Sequence, residues 1–516
     1  MKETLPARTL PALVEAAADR FGEAPAIQQD GQTISYRRLN QGRVEAARAF
    51  LAAGIRKGDR VAICAANCPE WIIAATGLQT LGAILVPLNP RLQPAESADI
   101  LERSGAGLFL CGPDLPHGIP SIPTVQLSAT AADGRLSWPG FLSTGAGIPD
   151  AAVAKAAAEV RPEDTMDMLF TSGTTGRPKG VLCSHEQNIR VFTTWADTVG
   201  LGSEDRYLII NPFFHSFGYK AGWLAALIKG CLILPVATFG IEEVLQQIER
   251  DKVTMLPGAP SLYEMLLNAP DRSRYDLSSL RLGVTGAASV PVQLVRDMQS
   301  ELGFATVVTA YGLTESTGVV SICRPDDAPE TIAGTSGRAI DGVDVRIIDP
   351  GSGAVQPAGR EGEIQVRGYN VMQGYFDMPE ATRETIIDGG WLRTGDIGVM
   401  DERGYLRITD RLKDMYIMNG QNVYPAEVEK ALYALPGIRQ VAVIGIPQKP
   451  QGEVGMAWVV GDTGLTAEAV TAFCREHLAP YKIPARIRFV DDLPLNATGK
   501  VLKTVLKQRA AEGDHD

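Results

Sequence analysis

Histidine is the scarcest chemistry-bearing side chain in these 516 residues, with five copies at positions 117, 185, 215, 477 and 515. A centre built on several imidazoles would have to use most of them, so a multi-histidine metal site is set aside. The seven cysteines (64, 68, 111, 183, 231, 323 and 474) are scattered. Only Cys64 and Cys68 are close, and no histidine lies near them to complete a zinc site. That pattern reads as small buried thiols in a reducing compartment. Long apolar runs are also missing: Gln79 interrupts Ile72–Leu88, and Lys229 with Gly230 splits Ala221–Gly240. Each reads as a buried helix followed by a buried strand, not as a membrane span. The opening MKETLPARTL carries Glu3, Pro6 and Arg8 where a signal peptide needs an apolar stretch, so a cytoplasmic location is expected. Basic charge is in deficit, 49 Lys and Arg against 60 Asp and Glu, a net of −11. That field disfavours nonspecific nucleic-acid binding while permitting a local basic pocket for phosphates.

What is present is the balance of an ordinary globular enzyme, with 45% hydrophobic and 21% charged residues. The first 110 residues alternate helical and strand patterns: a helix over Ala12–Phe21, another over Tyr36–Ala53, a strand at Arg60–Cys64, a helix over Trp71–Leu81 and a strand at Ala83–Pro87. Such alternation predicts α/β architecture with a largely parallel sheet. The stretch 112–150, rich in Pro, Gly, Ser and Ala, reads as a surface excursion. The α/β rhythm resumes from Met166 to about 325, and short strands between glycine turns over 343–410 predict a β-rich subdomain. After Asp410 the pattern changes to a compact α+β domain. It has a helix from Pro425 and strands at Val441–Ile446, Met456–Val460 and Ile487–Val490. The boundary is placed at Asp410–Lys413, giving a large domain over 1–410 and a small one over 411–516.

The most informative segment is Thr171-Ser-Gly-Thr-Thr-Gly-Arg-Pro-Lys-Gly180, directly after the apolar Met168–Phe170. Small hydroxyl residues and glycines let backbone N–H groups approach an anion, and Lys179 adds charge. The spacing does not fit the GxxxxGK[ST] phosphate loop. A serine-hydrolase elbow is absent, and no GxG pair carries the third glycine of a dinucleotide fingerprint. Five more segments follow: Asn211-Pro-Phe-Phe-His-Ser-Phe-Gly218, Tyr311-Gly-Leu-Thr-Glu315, Gly390-Trp-Leu-Arg-Thr-Gly-Asp396, Asp410-Arg-Leu-Lys-Asp414 and Asn496-Ala-Thr-Gly-Lys500.

These six segments, in this order, resemble the motifs of the adenylate-forming enzymes, which include acyl-CoA synthetases, luciferases and peptide-synthetase adenylation domains. The resemblance covers essentially the whole chain and is nearest to the bacterial acyl-CoA synthetases. It implies ATP, Mg2+ and coenzyme A as cofactors, and a C-terminal domain that moves about a hinge at Lys413. Thr171, Ser172, Gly173, Thr174, Thr175 and Lys179 are implied to hold phosphates, and Tyr311 to stack on adenine. Glu315, beside Thr314, is the implied Mg2+ ligand, since a hard cation bridging phosphates wants a carboxylate oxygen. Asp396 and Arg411 are implied at the ribose. Lys500 is implied to bridge the substrate carboxylate and the α-phosphate, where a cation offsets the repulsion of two anions. His215 is implied to gate the acyl pocket. Gly286, Ala287, Ala288 and Gly312 supply small residues that leave a ligand room, and the resemblance implies that Gly420 lies in the loop lining a pantetheine tunnel. Asn419 departs from the Gly-Gly common there and adds a side chain to that tunnel.

The implied activity is a carboxylic acid–CoA ligase. The gate segment Asn211–Lys220 contains no Asp or Glu to pair with an ammonium, so amino-acid substrates rank low. Phe213, Phe214, Phe217 and Tyr219 point to an apolar or bulky acyl group, and Lys220 reads as a solvated lysine. The run from Phe213 to Gly222 is similar to bacterial ligases for steroid-ring-degradation propanoates, with fatty and aryl acids as rivals. The alternatives are an acyl-AMP ligase that loads a carrier-protein thiol, a luciferase-like monooxygenase, and a catalytically dead nucleotide-binding regulator.

Overall fold

The structure, a computed structural model, describes residues 7–113, 122–131, 134–171, 178–286, 290–412, 414–418, 421–448, 452–495 and 501–512. Its helices begin and end where local chemistry dictates. Leu10–Phe21 has Pro11 in its first turn and buries Leu10, Leu13, Val14, Ala17 and Ala18, the spacing of one helical face. Gly22 ends it at φ +52. Tyr36–Ala52 is capped by Ser35, whose hydroxyl accepts from the Arg38 N–H at 3.2 Å. Pro69–Thr80 packs against it so closely that a Cβ on Gly77 would sit 2.5 Å from Ala46 Cβ.

Two large sheets carry the α/β part. In the first, nine strands run in the order Arg338–Ala339, Ser321–Ile322, Thr306–Tyr311, Leu282–Thr285, Met255–Gly258, Arg206–Ile209, Leu232–Pro235, Pro25–Gln29, Gln32–Ser35. The run from Thr306–Tyr311 to Pro25–Gln29 is parallel throughout. The second sheet orders eight strands: Gly374–Tyr375, Lys179–Ser184, Thr165–Thr171, Ile84–Pro87, Arg60–Cys64, Ala106–Cys111, Thr124–Gln126, Leu136–Ser137. A five-stranded sheet orders Val343–Ile348, Glu361–Gly368, Trp391–Met400 and Ile386–Ile387, with Leu406–Arg411 paired to Trp391–Met400.

The stretch 112–150 is more than a surface excursion. It contributes the strand Thr124–Gln126 and the helix Trp138–Thr144, and it buries Phe141 against Phe50 with Trp138 stacked on Phe141. Two aromatic anchors outweigh the turn-forming composition around them.

Contacts group the chain into two compact units. One contains Met1–Val345, Val366–Arg393 and Gly404–Leu406; the other contains Arg346–Gln365, Thr394–Arg403 and Arg407–Asp516. The core of the second is a hairpin of Ile438–Gln448 and Gly452–Gly461. Val441, Val443, Ala457 and Val459 face a cluster with Val428, Leu432, Val470 and Cys474. The alternate residues Ala442, Ile444, Met456 and Trp458 face Leu493 and Leu506, the period-two pattern of a sheet covered on both sides.

Candidate active site

Parallel strands of one sheet end on the same edge, and open α/β sheets bind ligands beyond the carboxyl ends of their strands. Three motif segments leave that edge: Asn211–Gly218 follows Arg206–Ile209, Gly286 follows Leu282–Thr285, and Tyr311–Glu315 continues from Thr306–Tyr311. Close backbone approach explains the small residues. A Cβ on Gly286 would stand 3.2 Å from the Ala310 carbonyl oxygen. One on Gly312 would lie 2.1 Å from the Gly318 carbonyl oxygen. The chain folds back through the short turn Thr314–Ser316, and Thr317 at φ +56 and Gly318 at φ +104 complete the reversal. The Thr317 hydroxyl anchors it by donating to the Asn370 carbonyl at 2.8 Å.

Glu315 is held at both ends. Its carbonyl accepts from the Met372 N–H at 2.9 Å, and its Oε1 accepts from the Tyr375 hydroxyl at 3.0 Å. The same tyrosine ring lies under Lys179 Nζ at 4.8 Å, inside cation–π range. Lys179 opens the strand that returns from the Ser/Thr/Gly loop, with Thr171 as its cross-strand partner. Thus Lys179 and Glu315 meet through Tyr375, a residue the motif reading missed. Arg103 is a second such residue, donating to the Pro178 carbonyl at 2.5 Å where the loop rejoins the sheet.

The segment Asn211–Gly218 is fixed by another unforeseen residue. Buried Asn67 accepts from the Phe213 N–H at 2.8 Å and donates to the Asn211 carbonyl at 3.0 Å. His215 Nδ1 accepts from the Phe217 N–H at 3.2 Å. Its side chain keeps accessible surface, and desolvation lowers its pKa. Its neighbour Ser216 reaches the Glu315 turn: a Cβ on Gly318 would lie 3.7 Å from Ser216 Cβ.

Three expectations about this segment need correction. Phe213 and Tyr219 do not line an acyl pocket; both are fully buried in an aromatic cluster with Trp71 and Trp223. Lys220 is not solvated either. It is fully buried with Nζ 3.0 Å from Asp167 Oδ1. Of the ring-bearing side chains Phe213, Phe214, His215, Phe217 and Tyr219, it is Phe214, His215 and Phe217 that keep accessible surface. The reason is a π-helical segment at Tyr219–Leu224, kinked at Gly222, which turns Tyr219 and Lys220 inward.

In the other unit, Asp396 is buried after Gly395 at φ +69, and its N–H donates to the Thr394 hydroxyl at 3.1 Å. The Gly395 carbonyl accepts from the Leu412 N–H at 2.8 Å, which brings the backbones flanking Asp396 and Arg411 together. Lys482 is ion-paired to Glu427 at 2.6 Å, and Arg488 lies over the Trp458 ring at 5.1 Å. Ser172, Gly173, Thr174, Thr175, Ala287, Ala288, Lys413, Gly420 and Lys500 lie outside the described residues, as does the side chain of Arg411. Burial pushes the thiols of Cys64 and Cys68 up to about 12. Among the described residues, no three His, Cys, Asp or Glu side chains gather as a metal site, and no helix is long and apolar enough to cross a membrane.

Glu315, beyond the carboxyl edge of the first sheet, and Lys179, on the antiparallel pair Thr165–Thr171 and Lys179–Ser184 of the second, thus meet at Tyr375 within one α/β unit. The chain belongs to the AMP-binding enzyme family, among its acyl-CoA-forming members: the family's model matches residues 14–376, and the model of its C-terminal domain matches 427–500. It is 46% identical over 519 residues to the 3-[(3aS,4S,7aS)-7a-methyl-1,5-dioxo-octahydro-1H-inden-4-yl]propanoyl:CoA ligase of Rhodococcus jostii, covering 97% of this chain and 98% of that protein. The enzyme of the same name from Mycobacterium tuberculosis is 47% identical over 515 residues, covering 97% and 99%. The ATP-bound structure of MatB from Rhodopseudomonas palustris superposes with a TM-score of 0.85 at 31% identity, covering 96% and 98%.

Proposed function

We propose that this protein is an ATP- and Mg2+-dependent carboxylic acid–CoA ligase whose acid is a bulky, apolar propanoate of the bicyclic kind named in the two ligases above. In the first half-reaction a carboxylate oxygen forms a bond to the α-phosphorus of ATP, and the α–β bridging bond breaks to release pyrophosphate. In the second, the CoA thiolate attacks the acyl carbon and AMP leaves.

The observation that carries the reading is the Lys179–Tyr375–Glu315 alignment beside the Ser/Thr/Gly loop. A cation over the ring face and a carboxylate on its hydroxyl suit a polyphosphate and its counter-ion. Glu315 fits a hard cation, because the tyrosine occupies one lone-pair site and leaves the other oxygen available. Mg2+ held there would neutralise charge on the phosphates. Lys179 and the backbone of the loop hold the phosphate oxygens, Tyr311 takes the adenine, and Asp396 with Arg411 takes the ribose hydroxyls. Phe214, His215 and Phe217 form the apolar wall for the acyl group, in keeping with the bicyclic acids of the 46% and 47% identical ligases. Lys500 orients the carboxylate attack.

Half-reaction kinetics test the reading. Lys500→Ala cripples acyl-AMP formation far more than thioester formation from supplied acyl-AMP. Equal loss of both would remove Lys500 from the first step.

A further inference from the structure

We propose that Tyr375 is a positioning residue that sets two arms of the nucleotide site at once, its hydroxyl orienting the Glu315 carboxylate and its ring face orienting the Lys179 ammonium. The inference rests on the roles proposed above for Glu315 and Lys179.

Tyr375 is placed firmly enough to do this. It is 9% exposed and sits in the outermost strand of its sheet, with Gly374 opposite Leu182 and Tyr375 opposite Val181. Its N–H donates to the Thr382 hydroxyl at 2.9 Å, and the next residue, Phe376, donates to the Gly180 carbonyl at 2.8 Å. Gly374, at φ +144, leaves no space for a side chain: a Cβ there would lie 2.9 Å from Thr382 Cγ2. The ring is therefore presented from a strand bonded to the lysine's own strand.

The residues it touches lack that rigidity. A glutamate and a lysine have several rotatable bonds each, and fixing a rotamer-rich side chain at the moment of binding costs conformational entropy. One hydroxyl donor to Oε1 selects a carboxylate orientation and leaves the second oxygen free of that bond. A ring face under Nζ restrains the ammonium without neutralising it, whereas a carboxylate partner would take both charge and N–H donors. Both groups are thus aimed by one ring.

The two contacts are separable by substitution in the full-length protein. Tyr375→Phe removes the hydroxyl and keeps the ring; Tyr375→Leu removes both. Thermal unfolding checks that each variant is folded. Electron paramagnetic resonance then reads Mn2+ affinity in the presence of α,β-methylene-ATP, and calorimetry reads tripolyphosphate affinity without metal. Tyr375→Phe should weaken Mn2+ binding by roughly tenfold and leave tripolyphosphate binding unchanged, the size expected for one hydrogen bond to a charged group. Tyr375→Leu should weaken Mn2+ equally and tripolyphosphate by roughly threefold more than Tyr375→Phe does. Glu315→Gln and Lys179→Met are the reference variants. Wild-type Mn2+ affinity in Tyr375→Phe, with the affinity lost in Glu315→Gln, overturns the positioning role alone. Wild-type Mn2+ affinity in Glu315→Gln overturns the proposed metal role of Glu315, and this inference with it. Unchanged tripolyphosphate binding in Tyr375→Leu, with loss in Lys179→Met, overturns the ring-face arm.

Discussion

Lys220 Nζ stands 3.0 Å from Asp167 Oδ1, and neither side chain exposes any surface. Asp167 also accepts from Asn188 at 2.8 Å and from the Tyr219 hydroxyl at 3.3 Å. The pair ties the segment after the gate to the strand that enters the Ser/Thr/Gly loop. Burial opposes both charges, and each partner offsets that cost for the other.

Breaking this pair from one side leaves a buried, uncompensated charge. Lys220→Met alone should destabilise the protein by about 3–5 kcal/mol, while Lys220→Met combined with Asp167→Asn should recover most of that loss. Urea unfolding of the wild type, both single variants and the double variant measures it. Additive losses in the double variant would contradict the pairing.

His185 gives the stability a pH dependence. Its ring is fully buried, Nδ1 accepts from the Leu10 N–H at 3.2 Å, and burial pushes its pKa down to about 4 from 6.5. Between those values the unfolded chain binds a proton that the folded chain does not, so stability falls as pH drops from about 6.5 toward 4. The His185 share of the loss between pH 7 and pH 5 is roughly 2 kcal/mol. His185→Gln should remove that share in chemical unfolding at the two pH values; an unchanged difference would contradict it.

Gly312 tests the turn that presents Glu315. A Cβ at this position would stand 2.1 Å from the Gly318 carbonyl oxygen, so Gly312→Ala must push two backbone segments apart. We expect ATP affinity to fall by at least tenfold, about 1.4 kcal/mol, with the small α+β unit unaffected. Calorimetry with ATP measures the first, and hydrogen exchange over the hairpin of Ile438–Gln448 and Gly452–Gly461 the second.

His215 is expected to act as a wall and gate, not as an acid or base. Its lowered pKa keeps it neutral above pH 7. His215→Ala should slow acyl transfer roughly tenfold while leaving the shape of the pH–rate profile above pH 7 unchanged. A lost inflection in that range would assign it proton transfer instead.

Periodic elements were legible in the sequence because apolar spacing and end signals act locally. The strand Arg60–Cys64 and the helices ending at Gly22 and near Ala52 needed only their own residues. Tyr375, Asn67 and the Lys220–Asp167 pair were not legible, since their partners come from distant parts of the chain. A lysine among aromatics looks like surface until a π-helical turn faces it inward onto a carboxylate. Phe213 and Tyr219 misled for the same reason: an aromatic stripe has the same sequence whether it faces a ligand or Trp71.

Acyl-CoA formation from a bulky apolar acid is best tested by pyrophosphate release with ATP, Mg2+ and a panel of acids, with and without CoA. The panel spans acetate, medium- and long-chain fatty acids, aryl acids and bicyclic propanoates. Release should depend on the acid, run fastest with the bicyclic propanoates, and become multiple-turnover only when CoA is present. Turnover confined to short acids such as acetate, or release indifferent to CoA, would contradict the proposed function.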